Sequence, residues 1–419
     1  MYVNSQLPPN FDWKFYLDYY PDLRDAGLKT PQQAAQHYVE FGKKENRIFY
    51  NPINDLFETI KDKSLVDFKG VNIFGYGNTI SGLGHNMRMI ISALELVEIP
   101  YNLHIIQTNQ KQENFFTSSP NKDYDINLIL MNPDTDIYFN LEDLIKNKYN
   151  IALWAWELDK LPNKWKERSK IFAEIWTISD FCFEVFKSEL PNQIIKKIEI
   201  PANFKEIRDK NLSKEKFNLV NKFVVLFVFD TSSDLYRKNP FDLISVFVNS
   251  ISKYDNTILI LKTHNLDNNT KYFYNLPPNI WLINQTWDDN KMTDLFNAAD
   301  LYVSLHRSEG SGLTLMEAID LEIPIICTNY SGNLDFCDEN CLLVDYELIP
   351  LKDSINPTYN EMKENCKWAK IDINDAIKKM NDCYENYDFY KTQIKKTKTK
   401  MLTTFNINSL SKKLKEYLV

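Results

Sequence analysis

The stretch LYVSLHRSEGSGLTLMEA, residues 301–318, carries the clearest fold signal in this chain. It begins with an apolar run, residues 301–305, that has the composition of a buried strand. A loop containing two glycines follows, and after Gly312 the apolar residues recur with helical spacing. A strand that passes through a glycine loop directly into a helix is typical of parallel α/β sheets, so the stretch predicts an α/β fold.

The same loop carries two carboxylates. Glu309 lies in the loop and Glu317 falls about one turn into the predicted helix, so both can face one ligand. Gly310 and Gly312 allow a tight turn, and the helix start supplies free N–H groups and a positive dipole. These features indicate a site for a phosphate-containing ligand.

Alternating strand and helix patterns extend over most of the chain and predict two Rossmann-like α/β domains facing across a cleft. Before a polar linker at residues 201–221, the predicted strands are 71–76, 103–107, 126–131, 151–154 and 175–178. After it they are 223–229, 257–261, 280–283, 301–305, 323–327 and 342–344. The predicted domains are a small helical module at 1–55, an acceptor-side domain at 65–205, a nucleotide-sugar domain at 220–370 and C-terminal helices at 371–419.

Composition limits the function classes. The chain has 419 residues and a formal net charge of -8, which argues against a nucleic-acid groove. It has no apolar run of about 20 residues and no secretory signal at its start, so we expect a soluble, cytoplasmic protein. The lysine-rich residues 391–400 indicate a solvated helix face, with peripheral contact to an anionic membrane as the alternative. The six cysteines are scattered along the chain, and we predict that they are reduced and structural.

Glycines point to a second loop. Only 10 occur in the chain, and four of them, Gly75, Gly77, Gly82 and Gly84, lie together before a predicted helix. The exposed N–H groups of such a helix start suit a phosphate or a sugar hydroxyl. His85 is predicted to be an acid/base group, an acceptor contact or a structural histidine.

Two adjacent cations lie in the loop that follows the predicted central strand 223–229. Arg237 and Lys238 precede Pro240, which fits the first turn of a helix. An arginine fork and a lysine point charge can together neutralise a diphosphate. With the acidic loop they predict opposed cations and carboxylates around one crevice.

At these residues the sequence resembles family 4 of the retaining glycosyltransferases, whose second domain carries two glutamates separated by seven residues. The matching motifs, in order, are 229–230, 237–240, 262, 299–304, 306–317 and 324–333. The resemblance implies the GT-B fold and metal-independent transfer, with retention, from a nucleotide diphosphate sugar to an acceptor glycan, lipid or protein. No cofactor and no metal are expected.

The resemblance also implies roles for individual residues. Arg237 and Lys262 would bind the donor pyrophosphate, Glu309 would contact the transferred sugar, and Glu317 would hold the ribose hydroxyls. These three, Arg237, Lys262 and Glu309, are the predicted catalytic set. The predicted donor-binding set is Gly82, Gly84, Arg237, Lys238, His306, Glu309, Gly310, Ser311, Gly312, Leu313 and Glu317. The predicted acceptor-side set is His85, Arg88, Trp156 and Glu157.

Other readings remain open. The triplets Asp123–Asp125 and Asp134–Asp136 are compatible with a metal-dependent GT-A enzyme, which the long two-domain strand pattern opposes. A catalytically inactive binding protein of the same fold is the main alternative, because a fold does not guarantee activity. A phosphorylase or an epimerase is a second alternative, and an enzymatic one. Residues 11–47 resemble a short helical module appended to some bacterial and viral glycosyltransferases, and no activity follows from it.

Overall fold

The protein is described from a computed structural model. It covers residues 7–9, 11–45, 47, 49, 59–108, 113–119, 122–133, 142–231, 233–266, 273–351, 354, 356–360, 362–363 and 365–419. The chain divides into two compact units, one of Met1–Thr59 with Asp136–Asn147 and one of Ile60–Thr135 with Lys148–Val419. The second triplet of the metal-dependent reading, 134–136, lies outside the described residues.

The first unit is a small helical module. Its helices are α1 (Trp13–Tyr19), α2 (Pro21–Asp25) and α3 (Pro31–His37), the last continued by a π-helical turn, Tyr38–Gly42. Asp12 caps α1, and Thr30 with Gln33 forms a capping box on α3, so the starts of these two helices have side-chain acceptors for free N–H groups. Tyr16, Leu17, Leu23, Ala34 and Tyr38 form the core of the module.

The first α/β domain contains a parallel sheet in the order β2-β1-β3-β4-β5-β6. Its strands are β1 (Val71–Gly75), β2 (Tyr101–Ile105), β3 (Ile126–Leu130), β4 (Tyr149–Trp154), β5 (Glu174–Thr177) and β6 (Ile194–Lys197). Its helices are α4 (Gly82–Leu96), α6 (Asn163–Ser169) and α7 (Asp180–Glu189), whereas α5 (Glu142–Ile145), between β3 and β4 in sequence, belongs to the first unit. The three central strands are fully buried, as expected for a parallel sheet covered on both faces.

The second α/β domain repeats this plan with the order β12-β11-β10-β7-β8-β9. Its strands are β7 (Phe223–Asp230), β8 (Thr257–His264), β9 (Ile280–Asn284), β10 (Leu301–Ser304), β11 (Ile325–Thr328) and β12 (Leu342–Val344). Its helices are α8 (Lys210–Lys216), α9 (Leu235–Lys238), α10 (Pro240–Val248), α11 (Asp289–Ala298) and α12 (Leu313–Asp320). An antiparallel hairpin, β13 (Tyr346–Pro350) and β14 (Lys367–Ile371), follows with α13 (Pro357–Asn360) between its strands.

Three helices end the chain, α14 (Ile373–Glu385), α15 (Tyr387–Thr404) and α16 (Ile407–Leu418). Ala376, Ile394 and Met401 from α14 and α15 belong to the core of the second domain. In contrast, Leu410 and Leu414 of α16 belong to the core of the first domain. The chain therefore crosses back to the first domain at its end.

The prediction of two Rossmann-like domains is confirmed, and every predicted strand is present. Their bounds agree within two residues except at β8, which extends three residues beyond its predicted end. The linker prediction was partly wrong, because residues 210–216 form α8. Lys210 and Lys214 of this helix bind Asp300 at 3.0 and 2.6 Å, which fixes a charged segment that has little apolar periodicity. Strand β6 and the hairpin escaped prediction because their residues are largely polar and partly exposed.

Among the described helices, none combines the length and the apolar character needed to cross a bilayer. The lysine-rich stretch lies on α15. Lys398 is 3.6 Å from Asp320, Lys395 is 3.6 Å from Glu322 and Lys400 is 3.3 Å from Asp338. Much of the charge of this stretch is therefore paired within the second domain.

Candidate functional site

The loop between β10 and α12 takes its shape from glycine. Gly312 caps α12 with a φ of 101°, a left-handed conformation that side chains oppose. Gly332, in the loop after β11, lies so close to this turn that a Cβ on it would be 2.1 Å from the carbonyl oxygen of Gly310. The Ser331 hydroxyl then accepts a 2.7 Å hydrogen bond from the Glu309 backbone N–H. Two glycine loops thus fix the position of Glu309.

Glu309 is a buried carboxylate between two cations. Its Oε1 is 2.5 Å from Nζ of Lys238 and its Oε2 is 3.3 Å from Nη1 of Arg237. Burial raises the pKa of this carboxyl, but Lys238, Arg237 and His306 more than offset that effect and hold it at about 2. Glu309 is therefore ionised throughout the physiological pH range.

Arg237 and Lys238 sit on the one-turn helix α9, and they differ in environment. The side chain of Arg237 is 4% exposed, with Nη1 donating to the Ser308 carbonyl at 2.7 Å and Nη2 donating to the Ser233 hydroxyl at 2.5 Å. Lys238 is 19% exposed at its side chain and reaches Glu309 directly. Of the two predicted phosphate-binding cations, Arg237 thus braces the loop and Lys238 is the more accessible.

Glu317 lies on α12, and burial raises its pKa. Its Oε1 is 3.4 Å from Nζ of Lys205, a residue of the segment between the two domains. Burial also raises the pKa of the Tyr302 phenol, and the charges of Glu317 and Glu309 both add to this rise. The charges of both predicted carboxylates thus act on one tyrosine of β10, and their sharing of a ligand stays a prediction.

The first glycine loop faces this site from the other domain. Ser81 caps α4, and a Cβ on Gly82 would lie 4.0 Å from Cδ1 of Leu313, the first residue of α12. The amino-terminal ends of α4 and α12 thus approach each other across the two domains. Gly84 is packed against the Thr79 carbonyl, where a Cβ would be 2.3 Å away, so its role in the loop is steric.

The structure gives His85 and Arg88 protein partners. Arg88 donates through Nη1 to the carbonyls of Gly77 and Thr79 at 2.8 and 2.9 Å, which shapes the glycine loop. His85 Nε2 lies 2.8 Å from the Pro201 carbonyl and must carry the proton to donate to it. Burial lowers the pKa of His85 to about 4, so it is neutral at physiological pH.

His306 and Lys262 are directed at other neighbours. His306 is fully buried, with Nδ1 3.1 Å from the Ser304 hydroxyl and Nε2 3.0 Å from Oδ1 of Asn333, and it holds the two loops together. Lys262 donates to the Gln285 carbonyl, and burial lowers its pKa to about 8. Among the described residues, the cations within 4 Å of Glu309 are Arg237 and Lys238, and Lys262 is not one of them.

Trp156 and Glu157 lie where the two α/β domains touch. The Trp156 indole is buried against Trp165 at 4.4 Å between ring centroids, and its backbone carbonyl lies 3.3 Å from a Cβ built on Gly310. Glu157 accepts a 2.9 Å hydrogen bond from the Tyr359 hydroxyl and lies 3.7 Å from Arg237. Both residues support the Glu309 loop from the first domain.

Sequence reasoning missed the long-range contacts of Lys205 and Asp335. Lys205 reaches Glu317, and Asp335 accepts from the Asp180 backbone N–H at 3.1 Å while lying 3.2 Å from Lys197. Each joins residues more than 100 positions apart, and no local pattern marks them. Asp123, which belonged to the metal-dependent reading, pairs with Lys148 at 2.7 Å.

Comparison with known proteins agrees with this architecture. Residues 209–347 match the family model described as glycosyl transferases group 1. An uncharacterised protein of Sulfolobus islandicus rod-shaped virus 1 is 23% identical over 278 residues, which are 62% of this chain and 74% of that protein.

Two solved structures show the fold match. Sucrose-phosphate synthase from Thermosynechococcus elongatus superposes with a TM-score of 0.62 at 13% identity, over 83% of this chain and 98% of that one. HepE from Anabaena, solved in complex with UDP and glucose, superposes with a TM-score of 0.58 at 12% identity, over 84% of this chain and 99% of that one. The chain therefore has the GT-B fold, and its residues 209–347 match the glycosyl transferases group 1 model.

Proposed function

We propose that the protein transfers a sugar, with retention of anomeric configuration and without a metal ion, from a nucleotide diphosphate sugar to an acceptor glycan, lipid or protein. The observation that carries the proposal is the buried Glu309 carboxylate, held between Lys238 and Arg237 at the start of α12. Gly82 of the first domain faces this point. Opposed charges and two helix starts are thus gathered where a donor diphosphate would lie.

In this proposal the leaving diphosphate is stabilised by fixed charges. The N–H groups of the turn formed by Gly310, Ser311, Gly312 and Leu313 would bind the phosphates, with Lys238 as the direct cation. Arg237 would act by holding Ser308 and Glu309 in place, since its guanidinium is enclosed by protein. Preorganised cations of this kind do the work that a divalent metal does in other transferases.

The carboxylates would orient the donor. Glu309, ionised at all physiological pH values, would accept hydrogen bonds from hydroxyls of the transferred sugar, and Glu317 would accept those of the ribose. Retention follows when the acceptor hydroxyl attacks from the face that the diphosphate leaves. The UDP bound by HepE makes UDP-sugars the first donors to test.

The test is a thermal-shift and turnover screen with UDP-, GDP-, dTDP- and ADP-glucose, each with and without EDTA. We expect one donor class to raise the Tm in EDTA and to release its nucleoside diphosphate on turnover. Lys238→Met should lower turnover about 100-fold or more, the size of effect seen when one group that stabilises developing charge is removed. Glu309→Gln should lower it by about 100-fold through misplacement of the sugar that Glu309 is proposed to orient.

A matched control pair lies on the hairpin. Lys370 and Glu347 pair at 2.8 Å with side chains 54% and 66% exposed, so Lys370→Met and Glu347→Gln should leave turnover unchanged. Product analysis by NMR gives the anomeric configuration. A donor response that vanishes in EDTA would contradict metal independence, an inverted product would contradict retention, and no response to any donor would favour a binding protein.

A further inference from the structure

The Lys205 side chain is buried although several of its neighbours along the chain are exposed. It lies in the extended stretch between the two α/β domains, where Asn203, Glu206 and Ile207 are exposed. Its own side chain is only 5% exposed. Burying an ammonium group costs free energy unless a partner offsets it, so this placement needs a specific counter-charge.

That counter-charge is Glu317. Nζ of Lys205 is 3.4 Å from Glu317 Oε1, and it also lies 5.5 Å from the ring centroid of Phe296 on α11. In the described part of the chain, no other carboxylate lies within 4 Å of this ammonium. The pair therefore joins the interdomain segment to α12, the helix that begins at the proposed phosphate site.

The segment around Lys205 is anchored on both sides. Asn297 of α11 donates to the Glu206 carbonyl at 3.0 Å and accepts from the Arg208 backbone N–H at 2.9 Å. On the amino-terminal side, the Pro201 carbonyl is held by His85 of the first domain. These contacts fix the backbone from which Lys205 extends, so its position over Glu317 is built into the fold.

We propose that Lys205 is a positioning residue for the nucleoside part of the donor, acting through Glu317. Its ammonium occupies one carboxylate oxygen and leaves the other oriented to accept the ribose hydroxyls. The inference rests on the proposed function, because it assumes that Glu317 binds ribose. Lys205 would contribute to donor affinity without touching the reacting atoms.

The charges around Glu317 give the expected direction of the pH effect. Burial raises the pKa of Glu317, Lys205 lowers it, and Asp289 at the start of α11 raises it further, while Tyr302 is the nearby phenol. Removing Lys205 leaves only effects that favour the protonated carboxyl. A neutral carboxyl is a weaker acceptor, so donor affinity should then fall at a higher pH than in the parent protein.

The test uses the full chain and calorimetric titration with UDP-, GDP-, dTDP- and ADP-glucose between pH 8.5 and 6.0. The diphosphate groups of these four nucleotide sugars do not titrate in that range. For the donor that binds, Lys205→Met should weaken affinity about tenfold at pH 7, and the loss should grow as the pH falls. Lys205→Arg should stay within about threefold of the parent, because it keeps the charge.

A double variant separates positioning from folding. If Lys205 acts through Glu317, Lys205→Met adds no further loss in a Glu317→Gln background, where no buried carboxylate is left unpaired. Lys216→Met is the matched control, since Lys216 lies just beyond the segment and pairs with Asp294 at a half-exposed position. Circular dichroism establishes that each variant is folded.

Two results would overturn the inference while leaving the proposed function intact. One is unchanged affinity and an unchanged pH profile in Lys205→Met, and tighter binding in that variant counts equally against it. The other is a full additional loss in the Glu317→Gln background. Failure of the parent protein to bind any of the four donors would instead overturn the proposed function, and this inference with it.

Discussion

Gly332 shows how a single position constrains the site. A Cβ there would lie 2.1 Å from the Gly310 carbonyl oxygen and 2.9 Å from that of Glu309, both backbone atoms of the turn that carries the central carboxylate. Backbone cannot move aside as a flexible side chain does, so any side chain at this position displaces the turn. The requirement comes from packing between two loops.

We therefore expect Gly332→Ala to lower the free energy of unfolding by about 1–3 kcal/mol and to abolish the donor-induced rise in Tm. Gly82→Ala is the control for stability. Of the residues that the structure describes, only Leu313 comes within 4.0 Å of a Cβ at Gly82, so the unfolding free energy should change by less than about 0.5 kcal/mol. Urea denaturation of both variants measures the difference, and equal stability would contradict the clash.

His85 provides a residue-scale prediction about pH. Its pKa is lowered by burial from 6.5 to about 4, so the unfolded chain takes up a proton before the folded protein does. The stability contributed by neutral His85 is then complete above pH 6.5 and is lost as the pH falls toward 4.

Between pH 7.5 and 5.0 this residue should cost the parent protein about 2 kcal/mol of unfolding free energy. His85→Gln keeps a donor for the Pro201 carbonyl and removes the titrating group. Between pH 7.5 and 5.0 the unfolding free energy of this variant should therefore fall by about 2 kcal/mol less than that of the parent protein. Denaturant melts at the two pH values make the comparison, and parallel losses in the two proteins would show that His85 is not the group responsible.

At the scale of elements, α16 is the helix whose position matters most. It is the last helix of the chain, yet Leu410, Leu414 and Leu418 lie in the core of the first domain, where α16 packs against α4. The helix α4 begins at Gly82, so α16 packs behind the glycine loop that faces the proposed donor site.

Leu414 is fully buried, and Leu414→Ala should reduce the free energy of unfolding by about 2–5 kcal/mol, the usual cost of a leucine-sized cavity. Leu212 of α8 is 59% exposed, and Leu212→Ala should change stability by less than about 0.5 kcal/mol. Thermal and urea melts test the pair. A Leu414→Ala protein as stable as the parent would show that α16 is dispensable to that core.

At the scale of the whole molecule, the two α/β domains each have their own sheet and core, but the first is completed only by the end of the chain. Residues 60–206 alone would expose the apolar face of α4 that α16 covers. Such a face without a partner favours aggregation over folding.

We expect the fragment 60–206 to lack a cooperative thermal transition, and the same fragment extended by residues 407–419 through a flexible linker to regain one. The measurement is circular dichroism during heating, combined with size-exclusion chromatography. Cooperative unfolding of the unextended fragment would contradict the prediction that α16 is an integral part of the first domain.

Local signals in the sequence determined most strands of the two parallel sheets and the glycine loops of this protein, whereas β6, the hairpin and α8 left no such signal. A buried parallel strand must be a short apolar run, and a turn with positive φ such as that at Gly312 selects glycine, so both leave a mark on neighbouring residues. The placement of Glu309 in a loop and Glu317 on the helix that follows it could be predicted for the same reason. The two-domain plan followed from the number of alternating strands and helices.

Tertiary structure alone decided which cation meets which carboxylate. Arg237 and Lys238 are adjacent in sequence, but the αL turn at Asn239 and the Ser308 carbonyl enclose the first and leave the second beside Glu309. Lys205 and Glu317, or α16 and α4, come together only after the domains have packed. Such contacts join residues more than 100 positions apart, and packing energy selects them without any local periodicity that a reader of the sequence can detect.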